Sequence, residues 1–151
     1  MKIVLAADHR GMKLKDALKA HLQSTGHEVE DVGAHTENPT DDYPDFGYPA
    51  AQMVAAAPGS RGIFICGSGM GMDIVANKVK GIRATVAYSK DGAMHGASHD
   101  GVNVITLAAD VVGIEEAKGI VDTFLATPLV RDEKYVRRIQ KIATIEDQHF
   151  R

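Results

Sequence analysis

The sequence predicts an α/β protein in which five strands form an open, mostly parallel sheet with helices on both faces, three layers in all. Two observations carry this prediction. Short apolar runs alternate with helix-period patterns along the whole chain, and the runs are continuously apolar, as strands covered on both faces are. Connections of helical length between such strands call for parallel pairing. The 151 residues are enough to bury a real core. Residues 1–151 read as one domain, with no internal repeat, linker or low-complexity segment.

Ile3 to Ala7 is the first buried strand. Leu14, Leu18 and Leu22 follow at a spacing of four with Lys13, Lys15, Asp16 and Lys19 between them, an amphipathic helix that Gly26 stops. Glu28 to Val32 fits a second strand. Asn38-Pro39 and Tyr43-Pro44 make Gly33 to Gly47 a loop, and Ala50 to Ala57 is helical by propensity until Pro58-Gly59. Gly62 to Cys66 is a third strand that runs into Gly67-Ser68-Gly69-Met70-Gly71. A helix from about Met72 to Val79, a strand at Ile82 to Ala87 and a helix over 89–98 come next. Val102 to Leu107 is the fifth strand. Ile114, Ala117, Ile120, Val121, Phe124 and Leu125 make a helical stripe that Pro128 ends, and 132–149 is a long charged helix with Val136, Ile139, Ile142, Ala143 and Ile145 on one side.

Charge and composition exclude several functions. Lys and Arg number 17 against 20 Asp and Glu, a net charge of −3 that argues against a dedicated nucleic-acid partner. The 44% apolar content excludes disorder. No apolar run approaches the roughly 20 residues of a membrane-spanning helix. The amino terminus meets Asp8 too early for a secretory signal. A single cysteine, Cys66, forms no internal disulfide, so a cytoplasmic setting is expected.

In open parallel sheets ligands sit at the carboxyl ends of strands, where the strand order reverses. That directs attention to Asp8-His9, to Cys66 and to the glycines that follow it. Gly67, Gly69 and Gly71 let backbone N–H groups turn toward a ligand oxygen, and the next helix adds its positive end. The pattern is neither the dinucleotide G-x-G-x-x-G, which needs glycine at Met72, nor a P-loop. It is an oxyanion or phosphate cradle, or a tight strand-to-helix turn. Cys66 is a base or nucleophile beside that helix end, or a small packed thiol. Ser68 bonds a ligand or satisfies the loop backbone. His95 and His99 have the i, i+4 spacing of a helical metal pair, but no third ligand is evident and no metal is expected. His99 beside Asp100 reads instead as an acid–base group after a helix.

Asp8-His9, Asp42-Tyr43-Pro44, Ile65 to Gly71 and Ala76-Asn77-Lys78 together resemble the ribose-5-phosphate isomerase B and galactose-6-phosphate isomerase subunit family. Gly81 to Ala84, His99, Asn103-Val104 and Val111-Val112-Gly113 extend the resemblance over essentially the entire chain. It implies a metal-free, cofactor-free aldose–ketose isomerase of Rossmann-like fold, acting on a sugar phosphate. It also implies a homodimer, or a tetramer built from it, with the active site at the dimer interface and the 132–149 helix contributing.

By the same resemblance, Cys66 moves a proton between C1 and C2 through an enediolate, the loop amides hold the oxyanion and Ser68 assists the oxygens. His99 helps open the sugar ring. Asp8, His9 and Tyr43 line the pocket, and C-terminal cations bind phosphate. Some relatives place a glutamate base where this chain has Met72, which supports Cys66 as the base here. The chain departs from the family pattern at three places. Asp100 stands where relatives carry Asn, Asp110 where they carry Arg, and Lys134 where one C-terminal Arg is usual, while Arg138 is kept beside Arg137. Arg10 is an added cation. Ribose 5-phosphate and ribulose 5-phosphate are the expected pair. A sibling isomerase of a tetrose phosphate, another pentose or hexose phosphate or a free sugar is the competing enzyme reading. A non-catalytic nucleotide-binding regulatory domain is the alternative of another class.

Overall fold

The computed structural model describes residues 1–150. In chain order the elements are β1 (Lys2–Ala7), α1 (Met12–Ser24), β2 (Glu28–Asp31), α2 (Pro44–Ala56), β3 (Arg61–Cys66) and α3 (Met70–Ala76). They continue with β4 (Ala84–Val86), α4 (Lys90–His99), β5 (Val104–Ala108), α5 (Ile114–Ala126) and α6 (Glu133–His149). The five strands lie in the order β2-β1-β3-β5-β4, and every pairing is parallel, so the sheet is wholly rather than mostly parallel.

Period-two alternation along the strands sends side chains to two cores. Ile3, Leu5, Ile63, Ile65, Ile105 and Leu107 pack against α1, α4 and α5 on one face. Val4, Ala6, Phe64, Cys66 and Val104 pack against α2 and α3 on the other. Leu18 and Leu22 of α1 are fully buried, each stabilising the fold by roughly 1.5–3 kcal/mol. Lys15 is 1% exposed on the same helix because its ammonium reaches Asp31 and Asp16 at 2.8 Å, while Lys19 joins Asp31 at 2.9 Å. Burial raises the Asp31 carboxyl, but its hydrogen bonds and ion pairs with the two lysines outweigh that and hold it below its ordinary value. Among the described residues no helix is long and apolar enough to cross a membrane.

Three elements differ from expectation. Helix α2 begins at Pro44 rather than Ala50, because a proline at the first helical position has the helix φ preset and gives up an N–H that would be unpaired anyway. Helix α3 begins at Met70, inside the glycine run, and ends at Ala76 instead of Val79. Strand β4 keeps only Ala84–Val86, the residues that find partners on β5; Ile82 is held in a turn by a bond from its N–H to Val79.

Candidate active site

From β1 the chain leaves to β2 on one side and returns to β3 on the other, so the strand order reverses between β1 and β3. A cleft of about 350 Å³ opens at their carboxyl ends. Cys66, the last residue of β3, reaches it while only 4% exposed. Gly67, Ser68 and Gly71 continue the wall, Asp8 and Arg10 arrive from the end of β1, Tyr43 from the turn before α2 and Asp110 from the end of β5.

The loop after Cys66 is tighter than three free glycines would be. Gly69 caps α3 with φ +76°, a conformation that a side chain would strain. The Tyr43 ring lies against Gly71, and the exposed Ser68 hydroxyl accepts the Met70 N–H at 3.3 Å. Ser68 thus holds the turn and still faces the cleft.

Asp8 is buried, and its Oδ1 accepts the backbone N–H groups of Arg10 and Gly11 at 3.0 and 3.1 Å. Burial pushes its carboxyl above the ordinary value, against the pull of the Gly11 N–H, the neighbouring His9 and the Arg10 N–H. His9 takes the other direction. Its backbone N–H donates to both oxygens of Asp41, and its Nδ1 lies 2.5 Å from Asp41 Oδ1. A carboxylate oxygen accepts, so the His9 ring meets Asp41 through its Nδ1–H. Asp41 is absent from the sequence expectations: it sits in a loop, 32 residues from His9, in a stretch with no periodicity. Among the described residues Asp8, His9 and Asp41 are the one group whose ligand atoms come within 4.8 Å of one another. Asp8 Oδ1, both Asp41 oxygens and His9 Nδ1 are already engaged by backbone N–H groups and by each other.

The other expected site residues lie elsewhere. Helix α4 starts beyond the carboxyl end of β4 and runs back to the amino end of β5, so His99 in its last turn stands at the end of the sheet opposite Cys66. There its ring stacks on Tyr135 of α6 with centroids 4.3 Å apart, and Lys134 Nζ lies 4.8 Å from the same Tyr135 ring. Asp100 follows at the rim of an apolar groove formed with Ile142 and Ile145. Lys134, Arg137 and Arg138 are exposed; Lys134 and Arg137 hold Asp132 and Glu133 only loosely, at 3.8 and 3.9 Å. Among the described residues Arg138 forms no ion pair. One chain therefore carries two separate groups, a thiol with its glycine loop and a histidine with a set of cations.

The chain matches the Ribose/Galactose Isomerase family over residues 3–142. It is 40% identical to ribose-5-phosphate isomerase B of Mycobacterium tuberculosis over 99% of this chain and 92% of that protein. The structure of ribose-5-phosphate isomerase B from Clostridium thermocellum superposes with a TM-score of 0.93 at 40% identity, covering 99% of both chains. That of the Mycoplasma genitalium enzyme, solved with bound ribulose-5-phosphate, does so with a TM-score of 0.93 at 36% identity over 97% of both.

Proposed function

The chain belongs to the ribose/galactose isomerase family and is an aldose–ketose isomerase, and from that premise we propose that it interconverts ribose 5-phosphate and ribulose 5-phosphate with Cys66 as the base. The observation that carries this reading is the position of Cys66, at the end of β3 and beside the amides of Gly67 to Gly71. Moving a proton between adjacent carbons needs a base, donors for the oxyanion and an acid for the oxygens, with no redox partner. As a thiolate, Cys66 takes the proton from C2 of the open-chain aldose. The C2 electron pair forms the C1–C2 double bond, and negative charge moves to O1, where the loop amides meet it. The Ser68 hydroxyl passes a proton from O2 to O1, and Cys66 returns its proton to C1, leaving the ketone at C2. Asp8 and Tyr43 hold the sugar hydroxyls, while His9, engaged by Asp41, stands outside the lining of the cleft.

Ring opening and phosphate binding need the second group, and we assign them to a second copy of the chain. His99, Asp100, Lys134, Arg137 and Arg138 of one copy would meet the Cys66 cleft of the other in a homodimer with two shared sites. The unburied state of α6 supports this: none of its residues is buried, and Ile142 and Ile145 remain 42% and 56% exposed. The lone thiol and the net charge of −3 favour a cytoplasmic enzyme without a nucleic-acid partner. A panel of phosphorylated and free sugars, run with and without EDTA, tests the reading. The highest kcat/KM is expected for ribose 5-phosphate, unchanged by EDTA. A higher value for a tetrose or hexose phosphate, or for a free sugar, would reassign the substrate. No turnover on any sugar, with nucleotide binding instead, would sink it.

A further inference from the structure

Arg10 and Asp110 are 100 residues apart and meet at the cleft, where Arg10 Nη2 donates to Asp110 Oδ2. They follow β1 and β5, the two strands that flank β3, so the ion pair bridges the carboxyl end of β3. It lies close over Gly67: a Cβ there would fall 2.6 Å from Arg10 Nε and 2.8 Å from Asp110 Oδ2. Glycine at 67 leaves room for the pair to settle onto the residue that follows Cys66, and a side chain there would push it outward. A guanidinium has five N–H donors, and among the described residues Asp110 is the one hydrogen-bond partner of this side chain. Its remaining donors are open to solvent, the side chain being 56% exposed. Arg10 is also the single cation on the described wall of the cleft, facing Asp8 and Asp110.

Asp110 acts on Arg10 in two opposed ways. Its charge lowers the positive potential, and its hydrogen bond restrains a long, flexible side chain. Both partners are about half exposed, so water screens the first effect, while the restraint persists in solvent. A planar guanidinium held in place is suited to a phosphate ester, which offers several strong acceptor oxygens. Resting on the sugar-phosphate reading above, we propose that Arg10 is this chain's own receptor for the substrate phosphate, acting beside the cations assigned to the second copy, and that Asp110 is the positioning residue that aims it.

Calorimetric binding of inorganic phosphate to the full-length protein, beside steady-state kinetics with ribose 5-phosphate, tests the pair. Arg10→Gln is expected to weaken phosphate binding and raise KM by roughly tenfold or more, with kcat much less affected. Asp110→Asn is expected to weaken both by about threefold in the wild-type background and by nothing further beside Arg10→Gln, the signature of a coupled pair. Unchanged phosphate binding in Arg10→Gln overturns the receptor role. Tighter binding in Asp110→Asn overturns the positioning role, since the carboxylate then only quenches the cation. Phosphate binding is read without turnover, so a protein that isomerises no sugar phosphate fails the functional reading while the ion pair is still tested.

Discussion

A thiol at the end of a central strand is packed by its neighbours before it is offered to a substrate, and Cys66, 4% exposed against α2 and α3, has both surroundings. Cys66→Ala is expected to lower kcat by at least about 10²-fold, as losing a general base does, and thiol alkylation should inactivate the wild type unless substrate protects it. Near-normal turnover in the alanine variant would remove Cys66 from the mechanism. Asp8 carries the opposite tension, between stability and function. Its folded-state titration is raised, so the ionised carboxylate costs stability above that point and the cost fades as pH falls through it. Asp8→Asn keeps the Oδ1 acceptor for Arg10 and Gly11 without the charge. It should melt at a higher temperature than the wild type at pH 7, lose that margin in acid, and turn over more slowly. At this scale the placement of Cys66, Ser68 and Asp8 on one cleft was legible in the sequence because strand ends and glycines mark them. The partnerships Asp41–His9 and Asp110–Arg10 were not, since 32 and 100 residues of chain separate groups that only the sheet brings together.

Between elements, Lys15 is the joint most open to test, because it fastens α1 to the end of β2 through Asp31, itself only 6% exposed. Removing one partner from a buried pair is costly, and Lys15→Met should destabilise by about 3 kcal/mol at neutral pH, with Lys19 left to hold the carboxylate. Asp31 titrates below its ordinary value in the folded protein, so its contribution is complete above roughly pH 4 and is lost as pH falls through the lowered folded value. The destabilisation by Lys15→Met should therefore shrink in acid, and a pH-independent difference in chemical denaturation would count against the ion pair. The strands and their parallel pairing were legible because continuous apolar runs have few other uses. The start of α2 was not: Tyr43-Pro44 reads equally as a turn and as a helix beginning at proline, and packing of Phe46 and Ala50 beneath the sheet decides between them.

For the molecule as a whole, the separation of His99 from Cys66 predicts how two damaged proteins behave when mixed. Cys66→Ala and His99→Asn should each be impaired alone. If sites are shared across a two-fold axis, subunit exchange builds heterodimers with one intact and one doubly altered site, restoring about a quarter of wild-type activity. No recovery after verified exchange, or a fully active monomer by light scattering, would refute sharing. The sheet order carries a consequence for how the protein is made. Strand β5 lies between β3 and β4, yet it is synthesised after both. At ~5–20 residues per second, the ribosome needs roughly one to four seconds to extend from Val86 to Ala108. Through that interval β1, β2 and β3 can already be paired, while β4 has no neighbour and one flank of β3 stands open beside Phe64 and Ile65. The nascent chain then presents an unpaired apolar edge, so the moments before β5 emerges are when pairing with another chain, or capture by a chaperone, competes with folding.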